Sequence, residues 1–208
     1  MYVPQEFVQE DKQMLYAFMR EHSFATLITQ QGTAPFATHV PLLLHSDEGE
    51  YGTLIGHMAR ANPQWQQFSG VSEVLAIFHG PHAYVSPAWY PGGQGVPTWN
   101  YATVHAYGAP RLIEGEDALL AVLKEITGFY ENGYEMPWQL DVTNERLKKL
   151  TSAIVGFKIP IIRLEGKFKL SQNRALADQL AVAAKLSQSD PASRAVANLM
   201  QHGLQGKD

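Results

Sequence analysis

Apolar residues first recur at helical spacing: Met14, Leu15, Phe18 and Met19 share one face of a helix predicted over 11–22. The period then drops to two. Phe24–Thr29 reads as a strand, Gln30-Gln31-Gly32 as a turn and Thr33–Leu44 as a second strand, together a hairpin. A polar loop over 46–52 leads to a third strand, Thr53–Met58. Asn62 as N-cap and Pro63 at the first helical position open a short helix carrying Trp65 and Phe68. Glu73–His79 is a strand, broken at Gly80-Pro81 and resumed over His82–Ser86. Pro87–Pro97 holds three prolines and three glycines, which a central strand does not tolerate. A connection this long without regular structure is often functional. Trp99–Tyr107 is again a strand.

In the second half, Leu119, Leu120, Leu123, Ile126 and Phe129 mark a helix over 115–130, and Thr143 is placed to cap another over 143–150. Ile154–Leu170 returns to strand character, with breaks expected near Pro160 and Gly166. Two helices end the chain, 174–186 and 190–202, the second with Asp190 as N-cap, Pro191 next and Gly203 as its stop. About seven strands in hairpin-like succession, without a strand–helix rhythm, exclude a Rossmann sheet and predict an antiparallel α+β domain. A barrel with peripheral helices would close its edges. Residues 1–173 are read as the barrel domain and 174–208 as a helical appendage packed on it.

Composition narrows the function classes. The 208 residues are 45% hydrophobic and 17% charged, enough to bury a core. There is no cysteine, which excludes disulfides, thiolate metal sites and thiol catalysis. No apolar run reaches membrane-spanning length, and the first residues lack the pattern of a secretory signal, so a cytoplasmic protein is expected. Net charge is −4, against a general nucleic-acid binder. The charge is uneven. Residues 1–145 carry five basic and sixteen acidic side chains, whereas 146–174 carry eight basic ones and Glu165 alone. That basic stretch reads either as solvated surface or as an anion site.

Catalytic motifs are sparse. GGQG at 92–95 is followed by neither a Lys-Ser/Thr pair nor a clear helix, so it is no phosphate loop. Trp89, Tyr90 and Trp99 could wall a flat ligand or simply pack. His79 and His82 flank a Gly-Pro pair without HExxH, and no metal site is assigned. His39, His57 and His105 fall within strand patterns and could line one pocket. GxSxG is absent. Two anion sites stand out. In KFKLSQNR (167–174) a basic strand ends just before a helix, though Ser171 or Asn173 could equally cap that helix. In GHMARANPQW (56–65), Arg60 is the lone cation between Arg20 and Arg111 and precedes a capped helix, where it can meet a phosphate.

These blocks, with MYVPQEF (1–7), ATHVPLLL (37–44), AIFHGPHAYVSPAWYP (76–91), VPTWNYATVHAYG (96–108) and AIVGFKI (153–159), run through nearly the whole chain. Together they resemble the PaiB-like family of FMN-binding negative transcriptional regulators. The resemblance implies an antiparallel split β-barrel of the FMN-binding type, a homodimer with FMN at its interface, and a repressor role. It carries the flavin positions of split barrels onto Thr38, His39, Val40, Gly56, His57 and Arg60, then onto Trp99, Asn100, Lys169 and Gln172. His39 stands where related oxidases often place arginine, and Arg60 has no neighbouring lysine. Two further readings follow from the wider superfamily: a flavin-dependent oxidoreductase, and a haem-binding or haem-degrading split barrel. DNA contact, direct or through a partner, falls to the 146–174 stretch and is expected to be weak. No catalytic residue is assigned, and no membrane association is expected.

Overall fold

The computed structural model describes residues 1–70, 73–93, 95–141, 143–144 and 149–205. Nine strands are found among them: β1 (Val8–Gln9), β2 (Phe24–Gln31), β3 (Ala34–Pro41), β4 (Leu43–His45), β5 (Thr53–Ala59), β6 (Val74–Val85), β7 (Thr98–Gly108), β8 (Arg111–Leu112) and β9 (Ile154–Lys169). The helices are α1 (Lys12–Glu21), α2 (Glu116–Glu131), α3 (Leu176–Ser187) and α4 (Pro191–Gln205), with 3-10 turns at Gln5–Phe7, Pro63–Gly70 and Pro87–Trp89. Hydrogen bonding links the strands in the order β3-β2-β6-β7-β9-β5-β4, an open path, with β1 and β8 also pairing to β9. This is the expected antiparallel α+β sheet with helices, left unclosed. No helix of the described residues is long and apolar enough to cross a membrane.

The chain divides into two compact units. One comprises 1–18, 79–104 and 165–208; the other comprises 19–78 and 105–164. In the second unit β2 and β3 form the expected hairpin, from Phe24 opposite Pro41 to Gln31 opposite Ala34, around Gly32 at φ 60°. The predicted 33–44 strand is, however, two strands. It turns at Leu42, and β4 leaves β2 to pair with β5. Gly56 on β5 makes that turn fit: a Cβ there would lie 2.7 Å from Leu42 Cδ2 and 3.0 Å from the Pro41 carbonyl. Helix α2 covers β4 and β5, burying Val122 and Ile126 against Leu43 and Ile55. Gly156 lets it close, since a Cβ would meet Leu119 at 2.7 Å. Phe157 is fully buried, its ring 5.3 Å from Phe68, and burial of such a side chain contributes roughly 1.5–3 kcal/mol.

In the first unit Asp11 caps α1, accepting from the Gln13 and Met14 amides. Phe18 of α1 packs on Phe168 at 5.1 Å, while Met14 of the predicted apolar face stays exposed. Val182 and Leu186 of α3 are buried, as are Val196, Ala197 and Met200 of α4. Asp190 caps α4 through the Ala192 and Ser193 amides, but Gly203 does not stop it; the helix continues to Gln205.

Two expected breaks are absent. β6 runs through Gly80-Pro81, because the ring of Phe18 occupies the space a Cβ at Gly80 would take, and Pro81 lies beyond the β2 ladder, which ends at Ile77. β9 runs through Pro160 and Gly166. Pro160 is the last residue opposite β5, and Gly166 admits Gln9 of β1 and Leu15. On α2, Phe129 is exposed rather than buried. Four residues of the helix expected over 143–150 (145–148) lie outside the described residues, and the Thr143 hydroxyl bonds to Asp141 at 2.6 Å.

Candidate functional site

Six of the ten candidate residues belong to the second unit, on β3, β5 and the turn after β5. Alternation along β3 points Val40 inward, 5% exposed, and leaves His39 outside. Thr38 is half-buried, and its hydroxyl accepts from Asn62 Nδ2 at 2.9 Å. Asn62 thus joins β3 to the turn it caps, since its Oδ1 also accepts the Gln64 amide at 3.0 Å. His39 Nδ1 and the Thr26 hydroxyl are 3.0 Å apart, beside Phe24, which is 68% exposed. Gly56 serves the close approach of Pro41 and Leu42 described above.

His57 follows on β5, half-buried opposite Gly156. Its Nδ1 is buried and has no hydrogen-bond partner among the described residues. Burial pushes the imidazole pKa down, so the ring is held neutral. Of the other two strand histidines, His39 turns to Thr26, and His105 lies 3.5 Å from the Tyr107 hydroxyl.

Arg60 is engaged by the protein itself. Its Nε donates to the Ser152 carbonyl at 2.7 Å and its Nη2 to the Ile154 carbonyl at 2.9 Å. Its own amide donates to Ala153 O and its carbonyl accepts from Trp65 Nε1. A cavity of about 680 Å³ adjoins it, lined also by Lys149, Ser152 and the start of α2.

The other four residues belong to the first unit. Trp99 is 52% exposed and lies 5.9 Å from the Tyr84 ring and 6.1 Å from His82, an open aromatic face. Asn100 is fully buried. Its Nδ2 donates to Ser171 Oγ at 2.9 Å, and Ser171 donates back at 3.2 Å. Ser171 needs that support, because it holds φ at 67°, which a non-glycine residue rarely adopts. It therefore does not cap the following helix; Ala175 is the N-cap, without a side-chain bond. Lys169 Nζ donates to Thr98 Oγ1 and to the Trp99 carbonyl, both at 2.6 Å. Burial, then the charges of Lys167 and Arg174, push its pKa down. Gln172 folds back on its own turn, accepting from the Leu170 amide and donating to the Phe168 carbonyl.

The groups fit a flavin in kind: a hydroxyl, an unpartnered imidazole nitrogen, an exposed indole face and cations. Arg60 keeps Nη1 for such a ligand, and Lys169 keeps one N–H. Two residues with equal claims were not among the ten flavin positions. Arg174 and Tyr90 stand together, the guanidinium 4.9 Å from the ring centroid. The sequence offered Tyr90 as a wall for a flat ligand and Arg174 as the end of the 167–174 anion stretch, but only the fold shows that they stand together.

Residues 1–163 match a family described as "Putative FMN-binding domain". The chain is 36% identical over 206 residues to the protease synthase and sporulation protein PAI 2 of Bacillus subtilis, covering 98% of each. Among solved structures, an FAD and heme binding protein from Mycobacterium smegmatis superposes with a TM-score of 0.62 at 13% identity, covering 84% of this chain and 78% of that one. The flavocytochrome Anf3 from Azotobacter vinelandii gives 0.61 at 14%, covering 80% and 72%.

Proposed function

This chain belongs to the PaiB-like family of flavin-binding split barrels, and from that premise we propose that it binds FMN and acts as a flavin-responsive negative regulator of transcription. The observation that carries the regulatory reading is the end-to-end likeness to PAI 2, 98% of both chains. Its structural counterpart on the flavin side is His57, whose buried Nδ1 lacks a partner that a ligand would supply. In this reading the protein is a cytoplasmic homodimer. Thr38, His39, Val40, Gly56, His57 and Arg60 of one copy and Trp99, Asn100, Lys169 and Gln172 of the other would hold each flavin. Bound flavin supplies redox-capable ring chemistry; the chain's own residues bind and orient it. Trp99 offers a stacking face, Thr38 a hydroxyl fixed by Asn62, and Arg60 and Lys169 offset negative charge. DNA contact is weak, direct or through a partner, and sensitive to salt.

A second reading, redox or haem chemistry, draws on two fold neighbours whose descriptions name a flavocytochrome and an FAD and heme binding protein. A neutral imidazole is the form that ligates haem iron, and burial favours that form at His57. One experiment separates the readings. FMN is titrated into purified protein by fluorescence quenching, NADH or NADPH is added, and haem is titrated separately. Saturable quenching with slow or no bleaching supports the regulator. Rapid bleaching of the flavin supports an oxidoreductase. A Soret band without flavin binding supports the haem protein, and no response to either cofactor rejects both readings.

A further inference from the structure

Arg174 ends the basic run at the junction of β9 and α3. Its guanidinium has no hydrogen-bond or ion-pair partner among the described residues and stands over the Tyr90 ring, 4.9 Å from Cζ to the centroid. Tyr90 is only 4% exposed, and its hydroxyl is buried without a hydrogen-bond partner among the described residues. A buried phenol hydroxyl normally finds one, because leaving it unpaired costs about 1–3 kcal/mol. Gly95 also closes on the ring, since a Cβ there would run into Cδ2 and Cε2. The 3-10 turn at Pro87–Trp89 packs against α3. The long Pro-Gly loop thus presents Tyr90 at the start of that helix.

The surroundings are cationic and lack a counter-charge. Lys167, Lys169 and Arg174 pair with no carboxylate among the described residues, and Glu165 is taken by the amino group of Met1. Lys167 donates to the Tyr2 carbonyl, and Lys169 uses two of its three N–H groups on Thr98 and Trp99. No side chain caps α3 at Ala175, so its first amides add partial positive charge at the same place. Close cations that repel one another and lack a carboxylate store an unfavourable energy that a dianion would relieve. Arginine's planar fork suits phosphate oxygens.

We infer that Arg174, Lys169 and the Tyr90 hydroxyl form a binding site for a phosphate monoester at the start of α3. The phosphate has two sources: the flavin's own phosphate, in which case the inference rests on the flavin reading above, or a separate phosphate-bearing ligand, in which case it does not.

The test uses the full chain with FMN, riboflavin and inorganic phosphate as probes. Parent, Arg174→Ala, Arg174→Gln and Tyr90→Phe are compared, each checked by circular dichroism. Affinities come from flavin fluorescence and from phosphate-dependent thermal shift at matched ionic strength. Loss of the arginine should weaken phosphate binding about tenfold or more, and Tyr90→Phe by less. If the source is the flavin, Arg174→Ala lowers FMN affinity about tenfold or more, toward that of riboflavin, and leaves riboflavin unchanged. If it is a separate ligand, FMN affinity holds while the inorganic phosphate response is lost. A parent that binds no flavin but keeps an Arg174-dependent phosphate response supports this site and rejects the flavin reading alone. The site is overturned if both Arg174 variants and Tyr90→Phe keep the parent's FMN-over-riboflavin preference and phosphate response. Tyr90→Phe deletes one buried oxygen, so it decides the matter even if the Arg174 variants fold poorly.

Discussion

Arg60 and Arg174 occupy the same kind of place, each just ahead of a helical turn at the end of a strand. In sequence both look like phosphate ligands. In the structure they differ. Arg60 lies flat along the 152–154 segment and donates to two main-chain carbonyls, and its turn is already capped by Asn62. Arg174 stands over an aromatic ring and makes no hydrogen bond or ion pair among the described residues, ahead of a helix without a side-chain bond at its N-cap. The first is chiefly a clamp that fixes the start of β9; the second, among the described residues, is a cation without a hydrogen-bond or ion-pair partner. A lone arginine before a helix is therefore an ambiguous signal. What resolves it is whether nearby carbonyls lack donors.

The comparison is broken most directly at the residues that hold each arginine's neighbourhood. Asn100 is the larger case. It is fully buried and exchanges two hydrogen bonds with Ser171, three residues before Arg174. Asn100→Ala leaves the Ser171 hydroxyl unpaired and a strained φ unsupported. The expected loss is about 2–4 kcal/mol in urea unfolding. Asn100→Asp should recover part of it. A loss below about 1 kcal/mol would mean that the turn before Arg174 is held by its backbone alone.

Next comes Arg60 itself. Arg60→Ala removes two charge-assisted bonds to carbonyls, and exposure reduces their worth, so about 1–2 kcal/mol of stability should go. FMN affinity should fall roughly tenfold as well, from the loss of Nη1 and the shifted turn. Arg174→Ala sharpens the contrast. Without phosphate its stability should stay within about 0.5 kcal/mol of the parent, since only a stacking contact is lost. Equal stability losses for the two variants would erase the distinction between clamp and ligand arm.

How much of this was legible beforehand depends on the range of the interactions. The β2–β3 hairpin, α1, α2, the Asn62 cap and the Asp190 cap rest on contacts within a few residues, and periodicity and capping chemistry reveal such contacts. The breaks expected at Gly80-Pro81, Pro160 and Gly166 failed because local propensity was outweighed by distant packing. Phe18 needs the space at Gly80, and Leu15 and Gln9 need it at Gly166. The split of the 33–44 strand likewise depends on Gly56, a dozen residues later. The family blocks named the site residues, but not which were already engaged. Gln172 turns back onto its own loop, Arg60 onto 152–154, and Asn100 onto Ser171. The Tyr90–Arg174 pair joins positions 84 residues apart, and only the fold brings them together.

The same contrast between engaged and unengaged groups recurs, with a smaller effect, in two histidines on neighbouring strands. At His45, burial acts to lower the pKa, but Glu125 at 2.5 Å and Glu48 at 3.4 Å outweigh it, and the pKa is raised above 6.5. Lys158 also reaches Glu48, from β9, and leaves Glu125 of α2 as the main partner. His57 has no such partner, and burial alone lowers its pKa below 6.5. The signs then oppose. His45 stabilises the fold in its charged form, so its contribution is full below pH 6.5 and fades as pH rises through its raised folded value. His57 is favoured neutral, so its contribution is full above pH 6.5 and fades as pH falls through its lowered folded value. Stability of the parent should therefore peak near neutrality. His45→Gln should flatten the alkaline side of that peak and His57→Gln the acid side. Imidazole proton shifts by NMR, followed across pH 4–9, check the assignment directly. His45 should titrate above 6.5 and His57 below it. Flavin bound at His57 would lower that second midpoint further if the ligand donates to Nδ1, because a donated hydrogen bond favours the neutral ring. A His57 midpoint that rises on adding FMN would place a negative charge beside it instead.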